Sequence, residues 1–207
     1  MTLVGLLASV VLSPLHAKNP KLEVELVAMA HAARDVRLVP TPDRRIVIRG
    51  GPAPLPTIPS PEAVNEITRT NSVRLKAIVD RYGWPGKKLA GEDGAHAAWE
   101  VLIAAPDVAL HQRSFALMQP MRNQVRKLDF AYLTDVVAVE NDQPQTYGTQ
   151  WTCRSGHLVL TTPVRDRPGV DARRKAVGLP PLGANYLQIL HGFSDNKPGC
   201  FSRLPRG

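Results

Sequence analysis

Residues 130–162 read FAYLTDVVAVENDQPQTYGTQWTCRSGHLVLTT, and the fold class turns on how this stretch is taken. β-Branched and aromatic residues dominate it, with an alternation of period two that predicts strands over Phe130–Val139, Gln145–Thr152 and His157–Thr162. Asn141-Asp142-Gln143-Pro144 and Arg154-Ser155-Gly156 supply the turns, giving a three-stranded antiparallel meander. Folding the first hairpin about its turn sets Asp135 opposite Gln150 and Glu140 opposite Gln145, because cross-strand partners count equally from the turn centre. Gln145, Tyr147, Thr149 and Trp151 then share one face of the middle strand.

The same stretch holds the candidate site. A carboxylate in a strand otherwise made of Leu133, Val137 and Val139 is costly to bury without a partner, so Asp135 has a structural or a functional reason to be there. The structural reason is a hydrogen bond from Gln150 or from an arginine such as Arg173. The functional one is general acid–base chemistry, which needs a second titratable group; His111, His157 and Asp166 are the other catalytic candidates. Gly148 weakens a strand interior unless another backbone, a tightly packed helix or a ligand comes close. Gln145, Tyr147, Thr149, Gln150 and Arg173 are therefore the candidate ligand-binding residues of a polar cleft.

Upstream, Leu22, Leu26, Met29 and Ala33 recur at helical spacing within an N-terminal helical segment, 18–38. Residues 39–61 hold nine prolines and glycines and read as an extended linker, with a short strand at Arg45–Ile48. Leu75, Ile78, Val79 and Tyr82 mark a helix stopped by Gly83 and Pro85. Asp93 is the expected N-cap of the next, whose buried face is Ala95, Ala98, Trp99, Leu102 and Ile103. Asp107 caps a third helix carrying Val108, His111, Phe115 and Met118. Downstream of the meander, Asp171 caps a short helix closed by Gly178, and Leu182, Tyr186, Ile189 and Leu190 outline a last one before a tail, 192–207. Helices first and sheet second make the expected class α+β: a helical bundle packed on the meander, in one domain over 62–191.

The chain has 207 residues, 43% of them hydrophobic and 21% charged, enough for one core; aromatics are 5%, so that core is aliphatic. A net charge of +8 suits anionic partners. The basic residues are scattered pairs, and no zinc-finger, helix-turn-helix or RNA-binding aromatic signature occurs, so nucleic acid ranks below a solvated basic surface. Serine-nucleophile elbows, phosphate-binding loops and dinucleotide glycines are missing, and His and Cys have no metal-ligand spacing; no cofactor or metal is expected. The apolar run Thr2–Leu12 followed by Ser13-Pro14-Leu15-His16-Ala17 reads as a signal peptide over 1–17, too short to span a bilayer, although its first residues carry no Lys or Arg. On that reading the protein is periplasmic or extracellular and Cys153 pairs with Cys200; the alternative is a cytoplasmic protein with two free thiols.

An ordered series of short motifs adds a resemblance. Gly83-Trp84-Pro85, Gly91-x-x-Gly94-Ala95-x-Ala97-Ala98-Trp99, Gln112-Arg113, Ala131-Tyr132-Leu133-Thr134-Asp135, Gln143-Pro144-Gln145-x-Tyr147-Gly148-Thr149-Gln150 and Asp171-x-Arg173-Arg174-x-x-x-Gly178-Leu179 follow one another. The series resembles an uncharacterised bacterial domain family, of cytoplasmic and exported proteins, with no assigned reaction, over about Asn71–Tyr186. Members often carry Gln-His at the end of the Trp99 helix, where this chain has Ala104-Ala105, and an Arg after the motif Asp, where it has Val136. Two functions stay open: a binding or accessory module for a small molecule or an anionic envelope polymer, and a hydrolase-like enzyme using Asp135 with a histidine and the amides of Gln145 and Gln150.

Overall fold

The computed structural model describes residues 19–35, 60–154 and 157–183, without the side chains of Asp35, Cys153, His157 and Leu158. In chain order its elements are α1 (Pro20–Asp35), α2 (Pro61–Tyr82), α3 (Lys87–Ala104), α4 (Val108–Met118), α5 (Lys127–Glu140), β1 (Trp151–Arg154), β2 (His157–Leu160) and α6 (Val170–Ala176). The local chemistry of the ends accounts for most of these bounds. Ser60 Oγ accepts the Ala63 N–H at 3.2 Å ahead of Pro61, and Asp107 Oδ1 accepts that of Leu110 at 2.9 Å, each satisfying a donor the first turn would otherwise orphan. Gly83 ends α2 at φ 71°, its N–H on Val79 O. Gly178 (φ 84°) closes α6, where the Leu179 N–H returns 2.9 Å to Arg174 O.

The core is a bundle of α1 to α5. Leu22, Leu26, Met29 and Ala30 of α1 meet Leu75, Ile78 and Val79 of α2 and Ala97, Ala98, Val101 and Leu102 of α3, with Leu110, Met118, Phe130 and Leu133 completing the cluster. Each large aliphatic chain so buried contributes about 1.5–3 kcal/mol. Asn71 Nδ2 donates to Met29 O at 2.9 Å and ties α2 to α1 inside it. The packing of α1 on α3 depends on small residues: a Cβ on Gly94 would stand 3.1 Å from the Cα of Glu23. α3 also differs from expectation at its start. It is capped at Gly86 and broken at Gly91 (φ 72°, ψ 176°), and Asp93 is an exposed residue inside its second half. Gly91 restarts the helix because it alone there takes a positive φ without a Cβ clash.

The α+β class with a three-stranded meander is overturned: the described residues form six helices and one two-stranded antiparallel sheet. Phe130–Val139 lies within helix α5. Phe130, Leu133 and Val137 are spaced i, i+3 and i+7 and pack toward the core, while Thr134 Oγ1 bonds Phe130 O at 2.7 Å and Asn141 Nδ2 bonds Val137 O at 2.7 Å. Tertiary burial of this stripe outweighs the β preference of its valines and threonine. Gln145–Gln150 is a loop with a single parallel bridge, Gln145 to Val164, and only Trp151–Arg154 pairs with His157–Leu160. Residues 1–17, the linker strand at Arg45–Ile48, Cys200 and the last expected helix beyond Gly183 lie outside the described residues.

Candidate functional site

The helical reading of α5 gives Asp135 a different set of neighbours. Its carboxylate is wholly buried, and the main chain of the 145–150 loop folds over it. Oδ1 accepts the N–H groups of Thr146 (2.7 Å) and Tyr147 (3.1 Å); Oδ2 accepts the Thr149 N–H (2.9 Å) and Thr149 Oγ1 (3.0 Å). Three amide donors and a hydroxyl satisfy a buried carboxylate, with no ion pair to it among the described residues. The cross-strand geometry expected for Asp135 and Gln150 is therefore replaced by this cradle, and among the described residues no histidine side chain bonds to it.

The loop's carbonyls are taken from the other side by α6. Arg173 Nε donates to Thr146 O (2.9 Å), its Nη2 to Arg165 O (2.6 Å) and its Nη1 to Asp166 Oδ2 (2.7 Å). Arg174, fully buried, donates from Nη1 to Tyr147 O (2.6 Å) and from Nε to Pro180 O (2.6 Å). Burial pushes the Arg174 guanidinium below its usual range, partly offset by Tyr132, Asp171 and Asp135. Gln145 closes the loop on itself: its Oε1 accepts Gln150 N–H at 2.8 Å and its Nε2 donates to Gln150 O (3.0 Å) and Thr162 O (2.9 Å). Gly148, at φ 69°, leaves no room for a Cβ, which would lie 2.9 Å from both Leu182 and Val164. The close approach at this glycine is thus side-chain packing.

The other predicted residues are dispersed. His111 is buried between three helices, Nε2 2.8 Å from Leu102 O and Nδ1 2.5 Å from Glu140 Oε1. Leu102 O also accepts the Ala105 N–H (2.9 Å), so His111 helps cap α3 beside Ala104-Ala105. Glu140 accordingly faces His111 and not Gln145. Asp166 is exposed on its loop with Arg173, while the His157 side chain is outside the described residues. Tyr147, Thr149 and Gln150 are half-buried on the loop, with Gln150 Nε2 on Thr149 Oγ1 at 3.0 Å.

A second constellation went unread in the sequence. His96, on α3, holds Asp129 of α5, Nδ1 to Oδ2 at 3.0 Å, and its ring stacks on Trp99 with centroids 5.5 Å apart and planes 14° apart. Asp129 is 2% exposed, and burial raises its carboxyl above the usual range while the hydrogen bond and charge of His96 pull it back. His96 Nε2 lies 3.8 Å from Glu100 Oε1, and Arg34 Nη2 lies 3.7 Å from Glu100 Oε2. These groups border the groove between α1 and α3, about 590 Å³, with Val24, Val27, Ala28 and Ala97 as its apolar wall and Glu23, His31 and Asp93 also on it. A signal was present: Asp129 stands between Leu128 and Phe130, the same apolar setting that singled out Asp135. A shallower recess of about 470 Å³ adjoins the loop at Thr146 and Arg165.

Among the described residues no three His, Cys, Asp or Glu side chains converge as a metal site, and no helix is long and apolar enough to cross a membrane. Neither the curated proteins nor the solved structures contain a match to this chain. A family model does match residues 20–196, from the first turn of α1 to beyond α6, so its span takes in both the loop cradle and the α1–α3 groove. The chain belongs to the family of unknown function DUF6624.

Proposed function

We propose that this chain is a ligand-binding module that takes a small molecule with an apolar body into the groove between α1 and α3. The supporting observation is the groove itself: about 590 Å³ of space with an aliphatic wall and ionisable groups at its border, between two helices that approach closely at Gly94. Glu23, Asp93 and Glu100 outnumber Arg34 there, which disfavours anionic ligands at this place even though the chain as a whole is basic. An anionic envelope polymer would have to use the outer basic surface. Asp135 is fully occupied by the loop it organises, which speaks against a hydrolase built on it. The test is a thermal-shift screen of small metabolites against the wild type, Ala28→Trp, which fills the groove from its exposed wall, and Gln150→Ala. Stabilising compounds should lose their effect in Ala28→Trp and keep it in Gln150→Ala; the reverse pattern would move the site to the loop.

Export belongs to the same proposal. The Thr2–Leu12 run ending at Ala17 supports cleavage, and an oxidising compartment would allow a Cys153–Cys200 bridge. The intact mass of protein from an exporting host, before and after reduction, tests both; an uncleaved chain with two free thiols would reject them.

A further inference from the structure

We propose that His96, oriented by Asp129, is a general acid–base residue that hydrolyses a small ester bound in the α1–α3 groove. The inference rests on the groove being a ligand site and adds a reaction to it. Its basis is the way His96 is held. A histidine that acts on a substrate needs one ring nitrogen fixed and the other free toward the reacting atoms. Here the buried Asp129 carboxylate accepts from Nδ1 at 3.0 Å, which sets the proton on Nδ1 and the lone pair on Nε2. The Trp99 ring, 5.5 Å away and nearly parallel, fixes the plane in which that lone pair points. Among the described residues Nε2 has no hydrogen bond: its neighbour Glu100 is 3.8 Å away, beyond bonding range. His111 shows the contrasting arrangement, with both nitrogens tied to protein oxygens at 2.5 and 2.8 Å.

The surroundings fit acyl transfer to water. Val24, Val27, Ala28 and Ala97 offer an aliphatic wall to the acyl group. Arg34 Nη2 lies 3.7 Å from the far oxygen of the Glu100 carboxylate that neighbours Nε2 and offsets part of that carboxylate's charge. Nε2 removes a proton from water, and the water oxygen forms a bond to the acyl carbon. The tetrahedral oxyanion then collapses, the bond from the acyl carbon to the ester oxygen breaks, and the imidazolium returns its proton to the departing oxygen. One ester and one water become one carboxylic acid and one alcohol. Asp129 acts through His96 as a positioning residue, holding the tautomer and stabilising the imidazolium that forms.

The probe is p-nitrophenyl butyrate, with the full chain, His96→Asn, Asp129→Asn and Ala28→Trp compared under identical conditions. A base of this kind contributes on the order of a hundredfold or more, so kcat should fall about that far in His96→Asn and at least about tenfold in Asp129→Asn, with KM changed less than about threefold. Wild-type turnover no faster than His96→Asn overturns the proposal. A purely structural His96 would be consistent with lowered melting temperature alone, so a second readout is the ¹⁵N spectrum of His96, expected to report a protonated Nδ1 in the wild type; a protonated Nε2 with bare Nδ1 overturns it as well. The groove reading fails separately: loss of turnover in His96→Asn with unchanged KM in Ala28→Trp keeps the dyad and rejects the groove. Ligand binding blocked by Ala28→Trp without any His96-dependent turnover keeps the groove and rejects the dyad.

Discussion

Asp135 and Arg174 grip the same loop from opposite sides, meeting through its main chain. Asp135 takes the N–H groups of Thr146, Tyr147 and Thr149, and Arg174 Nη1 takes the carbonyl of Tyr147. Replacing Asp135 with Ala strands one buried and two partly buried donors, each worth about 1–3 kcal/mol when left without a partner. Asp135→Ala is expected to destabilise the protein by at least about 3 kcal/mol by urea denaturation, and an unchanged midpoint would contradict the burial described above.

Because both residues hold one segment, their effects should not add. In a cycle of Asp135→Ala, Arg174→Met and the double variant, the second substitution should lose less than it does alone, with a coupling of about 0.5–3 kcal/mol. Strict additivity in the denaturation midpoints would mean that the loop is held by each independently.

Gly94 tests the seating of α1. A methyl group there meets the Glu23 backbone at 3.1 Å, so Gly94→Ala forces α1 outward. The expected loss is about 1–3 kcal/mol, despite the better helix propensity of alanine. A rise in melting temperature would show that α1 is free to shift without penalty.

Asp129 gives a pH dependence of definite sign. Its carboxyl is raised in the folded state, chiefly by burial, so the native chain holds this proton more tightly than the unfolded one. Its contribution to stability therefore declines as pH rises from the ordinary carboxylate range through the raised value, and remains lost above it. Asp129→Asn, neutral at every pH, should melt at or above the wild-type temperature at pH 7, with the advantage vanishing at pH 3. A variant less stable than wild type at pH 7 would mean that the ionised pair with His96 outweighs the burial penalty.

Much of the helical frame was legible from local chemistry. Pro61, Gly83, Asp107 and Gly178 mark ends that caps and positive φ enforce within a few residues, and Leu75, Ile78 and Val79 show the period of a buried helical face. α5 was not legible, because Leu133, Val137 and Val139 fall on one face of a strand in a segment rich in β-branched residues while Phe130, Leu133 and Val137 also satisfy a helical period; only the surface they pack on decides between the two. The association of Asp135 with the 146–149 segment was close at hand in the motif order, but its form depended on the helix. His96 and Asp129 are 33 residues apart, and no spacing rule joins two residues that meet across the interface of α3 and α5.

In the 145–150 loop, Asp135 and the two arginines bind amide and carbonyl groups, which every sequence supplies. Shape is thereby separated from content. Gln145, the buried Thr146, the glycine and Thr149 are bound to the loop's path, whereas Tyr147 and Gln150 are half-exposed positions at which surface specificity can be rewritten on an unchanged scaffold.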